Sequence, residues 1–216
     1  ATAARGLQAR MVGWRRDLHR IPEPGFCEFQ TASYILDALA DLPVRIYTGK
    51  EAQDLARVHS RDLDKVAAYA TRAIGAGVEA ARVESMQDEG TAIVAEVGSG
   101  NGPIVGVRVD FDALPIREAE GDHLPAREGF RSHHEGMMHA CGHDGHTAIG
   151  LGLLASLAPL ANELSGRVRV FFQPAEEGTL GGAASMVAGP LARELDAVIP
   201  IHIGLGIPSG TIVPEA

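Results

Sequence analysis

The chain has 216 residues, of which 45% are hydrophobic and 22% charged, and its formal net charge is −9. This composition is typical of a globular protein with its own core, and it excludes an intrinsically disordered chain. An acidic chain without basic blocks is also a poor binder of nucleic acid or of an anionic membrane.

Two helices are predicted near the start of the chain. Apolar residues recur there at helical spacing with arginines between them, as in an amphipathic helix packed on a core, at Leu7, Met11, Trp14 and Leu18. Prolines and a glycine within 22–25 end this helix, and a second helix is expected over 28–39. No continuous apolar run follows the first residues, so we expect neither a secretory leader nor a transmembrane segment.

The composition changes in the next part of the chain. A strand is predicted at 44–47, and residues 49–90 are charged and Ala-rich, with a helical run near 63–73. Because charge runs of this kind usually form solvated faces, we interpret 49–90 as a helical surface insertion.

The second half of the sequence predicts most of a sheet. Strands are expected at 91–97, 104–109, 167–172 and 197–201. The segment 147–160 is apolar nearly all round, which is typical of a buried helix. Since helices separate the strands and several strands are nearly continuous apolar runs, we predict an α/β fold with a mostly parallel sheet flanked by helices.

Polar clusters follow three of the predicted strands, at the place where functional groups of α/β sheets gather. These clusters contain Asp110 and Asp112, then Glu176 and Glu177, and finally His202. Between the first two clusters lies the segment 139–146, which is rich in histidine and precedes the predicted buried helix.

Cys141 and His143 are candidate metal ligands. One residue separates them, so in an extended segment both side chains would face the same side. Thiolate and imidazole are preferred ligands of zinc and similar metals. The alternative is a reduced cysteine beside histidines in a polar turn, but acidic and histidine side chains at nearby strand ends favour metal binding.

The adjacent carboxylates Glu176 and Glu177 could have two different roles. Neighbouring residues that leave a strand point in different directions, so one carboxylate could bind a metal while the other accepts a proton from water. The alternative is that one of them caps the helix that follows.

Other cysteines and histidines give weaker signals. His134 and His139 resemble a zinc-protease motif but would lie about 140° apart on a helix, too far round to share an ion. Residues 123, 133 and 134 are histidines expected to be exposed, and Cys27 is expected to pack in the interior. With only two cysteines, the chain suits a reducing compartment, and we expect a cytoplasmic protein.

Five motifs occur in order along the chain, at 14–19, 28–32, 108–114 (RVDFDAL), 138–146 (MHACGHDGH) and 173–178 (QPAEEG). Together they resemble the metal-dependent amidohydrolases of the aminoacylase and auxin-conjugate hydrolase group. The long segment 49–90 and the run 136–139 resemble the branch of this group that acts on p-aminobenzoyl-glutamate.

The resemblance implies roles for individual residues. The metal ligands that it implies are Cys141, His143, Glu177 and His202. Glu176 would be the general base, and Asp110 would be a second catalytic residue that supports the metal centre. Two divalent ions, zinc or manganese, and a small N-acyl amino acid as substrate are implied as well.

The resemblance also implies a domain organisation. Residues 1–216 would be the N-terminal part of a zinc-peptidase-like catalytic domain, and a dimerisation domain and a final segment would lie outside them. The full-length form would then be a homodimer or a hetero-oligomer. Our first hypothesis is metal-dependent hydrolysis of the amide bond of an N-acyl amino acid such as p-aminobenzoyl-glutamate. The alternative is a non-catalytic metal-binding fragment or subunit that needs the missing C-terminal part or a partner.

Overall fold

A five-stranded sheet organises the molecule, whose structure is a computed structural model that describes residues 5–178, 180–204, 206–208 and 210–214. In chain order the strands are β1 (Arg45–Thr48), β2 (Ile93–Val97), β3 (Ile104–Asp110), β4 (Arg167–Gln173) and β5 (Ala197–Pro200). Their spatial order is β1-β2-β4-β3-β5.

The strand directions make this a mixed sheet. β4 and β5 both pair parallel to β3, whereas β2 pairs antiparallel to both β1 and β4. β2 is therefore the one reversed strand among these five, and the predicted α/β class is confirmed. A short glycine-rich turn at 98–102 joins β2 to β3, but the two do not pair because β4 lies between them.

Helices cover the sheet. They are α1 (Gln8–Arg20), α2 (Phe29–Leu39), α3 (Leu63–Gly75), α4 (Ala80–Glu89), α5 (Leu124–Arg127), α6 (His143–Leu157) and α7 (Gly182–Ala188). Short 3-10 turns lie at Gly49–Glu51, Leu55–Arg57, Ala158–Glu163 and Leu191–Glu194. Within the described ranges, no helix combines the length and the hydrophobicity that crossing a bilayer requires.

Helix α6 is the buried helix that the sequence predicts, and it packs directly on the sheet. A Cβ added at Gly150 would lie 3.0–3.1 Å from side-chain atoms of Phe172, Val109 and Val170, so the glycine permits this close approach. On its other side α6 contacts α1, whose Trp14 and Leu18 are buried as the amphipathic pattern predicts. This packing fixes the position of the first turn of α6 at the edge of the sheet.

The segment 49–90 is helical, but it is not confined to the surface. Helices α3 and α4 contribute buried side chains to the main hydrophobic core, namely Val66, Ala70, Ala73, Val83 and Met86. Their outer faces carry the charges that led to the surface interpretation. The periodic apolar residues under those charges are what bind the segment to the core.

Candidate metal centre

The predicted site residues meet at one edge of the sheet. β3, β4 and β5 run in the same direction, so their carboxyl ends lie together. Asp110 is the last residue of β3, and His202 follows β5 by two residues. The first turn of α6, which begins at His143, meets the same edge.

Among the residues that the structure describes, three candidate donor sets share His143. Within each set one ligand atom per residue lies within 4.8 Å of the others, and the sets are Cys141–His143–His202, His143–Glu176–Glu177 and Asp110–His143–His146. The structure thus brings together the four predicted ligands, the predicted base and Asp110.

Short distances join these groups. Cys141 Sγ lies 3.4 Å from His202 Nε2. His143 Nε2 lies 3.7 Å from Glu176 Oε2 and 3.8 Å from Glu177 Oε1. These separations are close enough for one ion to contact atoms of neighbouring residues.

The backbone around Cys141 differs from the expected extended segment. Cys141 lies in a turn, Gly142 adopts the left-handed conformation with φ of 88°, and His143 begins α6. The two side chains share a site because the left-handed glycine turns the chain between them. This conformation is favourable for glycine and strained for other residues.

Buried atoms without hydrogen-bond partners mark the same place. In the described part of the chain they include Nδ1 and Nε2 of His143, Oε1 of Glu177 and Oδ1 of Asp112. A buried polar atom without a partner is costly, so such a cluster needs a further bonding group. A divalent cation would bind Nε2 of His143 and Oε1 of Glu177, and Nδ1 of His143 would then carry a proton and face Asp112 Oδ1 at 3.3 Å. Imidazole, thiolate and carboxylate are the ligands that zinc prefers.

The electrostatics of the centre also fit a cation. Burial alone lowers the pKa of His143, but the carboxylates of Asp112, Asp110 and Glu177 outweigh it and raise that pKa. Burial and the negative charges of Glu177 and Glu176 raise the pKa of the Cys141 thiol to about 11. Concentrated negative charge contributes to both pKa shifts, and a bound cation would neutralise that charge.

Asp110 and His146 form a pair beside His143. Asp110 Oδ1 lies 2.5 Å from His146 Nδ1, and the backbone N–H of Ile203 donates to His146 Nε2 at 2.8 Å. Because Nε2 accepts, Nδ1 carries the proton and donates to Asp110. Asp110 Oδ2 lies 2.6 Å from Arg108 Nη1. Burial opposes ionisation, but these donors keep the pKa of Asp110 below its usual value.

Two site residues lie outside the predicted set. Asp112 accepts a hydrogen bond from the backbone N–H of Glu177 at 2.9 Å, and its Oδ1 lies 3.3 Å from His143 Nδ1. His146 shares one face of α6 with His143, three residues away. The three-residue spacing on a helix could have identified His146 from the sequence. The predicted helix begins at residue 147, however, so the prediction does not apply this spacing to His146.

The remaining cysteine and histidines occupy different environments. Cys27 is buried, as predicted, and His133 is exposed, as predicted. The prediction of an exposed His134 is wrong: its ring is buried and its Nδ1 lies 2.8 Å from Pro22 O, to which it donates. His123 is half-buried, since its Nε2 lies 2.7 Å from the buried carboxylate of Glu118.

Comparison with curated proteins gives close relatives. The chain is 44% identical over 212 residues to the indole-3-acetyl-aspartic acid hydrolase of Enterobacter agglomerans, covering 97% of the chain and 48% of that protein. It is 40% identical over 210 residues to a subunit of the p-aminobenzoyl-glutamate hydrolase of Escherichia coli (strain K12), covering 96% of the chain and 48% of that protein. The chain thus spans about half the length of these relatives.

Solved structures of related proteins are also similar to this chain over about half of their length. The aminobenzoyl-glutamate utilization protein from Klebsiella pneumoniae superposes with a TM-score of 0.76 at 34% identity, covering 96% of the chain and 46% of that protein. A Bacillus subtilis protein described as a dinuclear metal-binding peptidase from the M20 family gives a TM-score of 0.70 at 29% identity, covering 95% of the chain and 46% of that protein.

A family profile covers the part of the chain that holds these site residues. The profile described as Peptidase family M20/M25/M40 matches residues 106–216, more than half of the chain. The match includes β3 from residue 106 onward, the segment 139–146, the glutamate pair and His202. The resemblance seen in the sequence motifs is therefore confirmed, and the chain belongs to peptidase family M20/M25/M40.

Proposed function

We propose that the chain is the metal-binding part of an amidohydrolase, which cleaves the amide bond of an N-acyl amino acid with two divalent ions. One observation carries this proposal. Buried side-chain atoms that have no hydrogen-bond partner converge on His143, at the edge of the sheet where three parallel strands end. The reaction class comes from the relatives, since both are named as hydrolases of an acylated amino acid.

The proposed metal ligands are Cys141, His143, Glu177 and His202. When bound, a divalent ion would polarise the scissile carbonyl and lower the pKa of water at the site. The thiolate favours zinc, and the carboxylates suit manganese as well, so the proposal includes either metal. The proposal of two ions is supported by the dinuclear description of the Bacillus subtilis structure.

Glu176 is the proposed general base. Its side chain is 36% exposed, compared with 24% for Glu177 and 1% for His143, so it lies on the open side of the centre. We propose that water and substrate reach the site from that side, because a base must lie within hydrogen-bonding reach of the proton that it removes. Asp110 would support the centre through His146 and through its own carboxylate, 3.5 Å from His143 Nε2.

The proposed substrate is an N-acyl amino acid, and p-aminobenzoyl-glutamate is the first one to test. Both relatives carry names in which an aromatic acyl group is joined to an acidic amino acid. The full-length protein would act as a homodimer or hetero-oligomer, in line with the naming of one relative as a subunit. A reducing compartment such as the cytoplasm suits a centre with a free thiol ligand.

The alternative is a chain that binds metal without turnover until further residues or a partner complete it. The observation that favours it is that the chain spans about half the length of its curated relatives. Metal binding by the chain without hydrolysis, followed by hydrolysis in a longer form, would support this alternative.

The test separates the two adjacent glutamates in an active form of the protein. Glu176→Gln should keep its metal and its substrate affinity but lose turnover by roughly 10²–10⁴-fold, the usual contribution of a general base. Glu177→Gln should instead lose metal and recover partly at high metal concentration. Metal analysis of both purified variants, beside single-turnover rates on p-aminobenzoyl-glutamate, measures both effects. The reverse pattern would exchange the two roles, and two metal-loaded active variants would refute the proposal.

A further inference from the structure

The turn that carries Glu176 and Glu177 is conformationally unusual. Ala175, directly before the pair, is buried and has φ of 50°. This left-handed conformation is disfavoured for a residue with a Cβ atom. A residue persists there only where its surroundings hold it.

Glu28 is one of the groups that hold this turn. Its Oε1 accepts a hydrogen bond from the backbone N–H of Ala175 at 2.9 Å. Its Oε2 accepts one from the hydroxyl of Thr91 at 2.7 Å, and the side chain is fully buried. Both carboxylate oxygens are thus engaged, and Glu28 belongs to none of the donor sets around His143.

Two further contacts fix the same turn. A Cβ added at Gly25 would lie 2.8 Å from Ala175 Cβ, so the segment that leads to Glu28 packs directly against Ala175. On the other side, Asp112 accepts the backbone N–H of Glu177 at 2.9 Å. The turn is therefore held at the residue before the glutamate pair and at the second glutamate.

We propose that Glu28 is a positioning residue for the candidate metal centre: by holding the Ala175 N–H, it maintains the left-handed turn that directs Glu176 and Glu177 toward His143. This inference rests on the proposed function, since it assigns Glu28 a task in that same centre. Without Glu28, Ala175 N–H loses its partner and the backbone relaxes toward negative φ. That relaxation rotates the peptide that follows and moves both carboxylates away from His143.

Substitution by alanine and by glutamine separates this role from a requirement for charge. Glu28→Ala removes both acceptors, whereas Glu28→Gln keeps an oxygen for Ala175 N–H and offers its amide N–H to the Thr91 hydroxyl. The readout is Co²⁺ titration of the chain followed by absorption spectroscopy, because the visible bands of Co²⁺ report the arrangement of its ligands. Circular dichroism establishes that each variant is folded.

Glu28→Ala should weaken Co²⁺ binding by about 10–100-fold, the usual cost of losing a group that orients a ligand, and should alter the absorption bands. Glu28→Gln should retain the wild-type affinity and spectrum. Adding Ala175→Gly to Glu28→Ala should recover part of the affinity, because glycine adopts positive φ without strain. A folded Glu28→Ala variant with wild-type binding, or equal losses in Glu28→Ala and Glu28→Gln, would overturn the inference.

If Glu28→Ala does not fold, the Thr91→Val variant is measured instead. Thr91→Val removes the hydrogen bond to one oxygen of Glu28, so it should weaken Co²⁺ binding and alter the Co²⁺ absorption bands to a smaller degree. Unchanged binding and an unchanged spectrum in Thr91→Val would then overturn the inference.

Glu177→Gln is the control for the metal centre itself. If Glu177→Gln binds Co²⁺ as the wild type does, the proposed role of Glu177 as a ligand fails, and the inference fails with it. If it loses Co²⁺ while Glu28→Ala does not, only the positioning role fails.

Discussion

At the scale of single residues, the candidate centre depends on the backbone around His143. The left-handed Gly142 ends the preceding turn, and α6 begins directly after it. His143 and His146 therefore lie on one face of the first helical turn. His143 belongs to all three donor sets, whereas Cys141 and His202 each belong to one, so the sets meet at this imidazole.

Glu23 is a fully buried carboxyl whose titration should affect stability. Burial raises its pKa from 4.5 to about 7, although Thr31 and Gln30 donate hydrogen bonds to it. Because the folded pKa exceeds the unfolded one, the folded state binds more protons between these values. Stability is therefore fully present below the unfolded pKa and is lost as the pH rises through the folded pKa.

Glu23→Gln removes this titration. Relative to the variant, the wild type should lose roughly 3 kcal/mol of unfolding free energy as the pH rises from below 4.5 to above 7. Urea denaturation of both metal-free proteins across this range measures the difference. Parallel pH profiles for the two proteins would contradict the account of Glu23.

The sequence predicts the candidate metal ligands better than it predicts the residues that hydrogen-bond to the groups of the centre. Residue type and position relative to the strands are enough to predict metal binding by Cys141, His143 and the glutamate pair. Asp112 and His146 lie in segments that the sequence singles out, but the sequence assigns them no role because their partners are distant: Asp110 lies 36 positions from His146, and Glu177 lies 65 from Asp112. Such contacts follow from the packing of α6 and β4 on β3, which local patterns do not encode.

At the scale of elements, a buried ion pair joins the antiparallel strands β2 and β4. Glu96 and Arg169 are cross-strand partners, and Arg169 Nε lies 2.5 Å from Glu96 Oε2. Both side chains are almost completely buried. Removing Arg169 leaves the buried Glu96 carboxylate with only the more exposed Arg167 and Arg45 near it, which costs more than a lost surface pair.

Arg169→Met should lower the unfolding free energy by roughly 3–5 kcal/mol, because Glu96 remains buried and loses its main partner. Arg167→Met is the matched control: Arg167 is 29% exposed and lies 3.5 Å from the same carboxylate. It should cost less than about 1 kcal/mol, as surface pairs do. Chemical denaturation of both variants tests this, and equal losses would argue against the buried pair.

This pairing also explains what the sequence could not predict about the sheet. The five strand positions follow from apolar runs, and all five are present. The order of the strands depends on contacts such as Glu96–Arg169, which lie 73 positions apart. The helical segment 49–90 illustrates the same limit, because its charged residues are visible in the sequence while the core that its apolar face joins is not.

At the scale of the whole molecule, the proposed metal centre links segments that are distant in the chain. Cys141 precedes α6, His143 begins it, Glu177 follows β4, and His202 follows β5. An ion bound by all of them stabilises the folded state, since the unfolded chain does not present these ligands together.

Saturating zinc should therefore raise the melting temperature of the chain. At a free zinc concentration about 100 times the dissociation constant, binding adds about 2.7 kcal/mol, which corresponds to several degrees for a chain of this size. Calorimetry with zinc and with a chelator measures the shift. The absence of a shift under saturating conditions would contradict ligand-linked stabilisation by this centre.

The most direct test of the metal centre is the affinity for zinc of two cysteine variants, measured by isothermal titration calorimetry. The chain offers a matched pair, because Cys141 lies in the centre and Cys27 is buried outside the donor sets. Cys141→Ser should weaken zinc binding by at least about tenfold, the minimum expected even for a residue that only supports a ligand. Cys27→Ser should bind zinc as the wild type does. Equal affinities in the two variants would remove Cys141 from the centre and contradict the account.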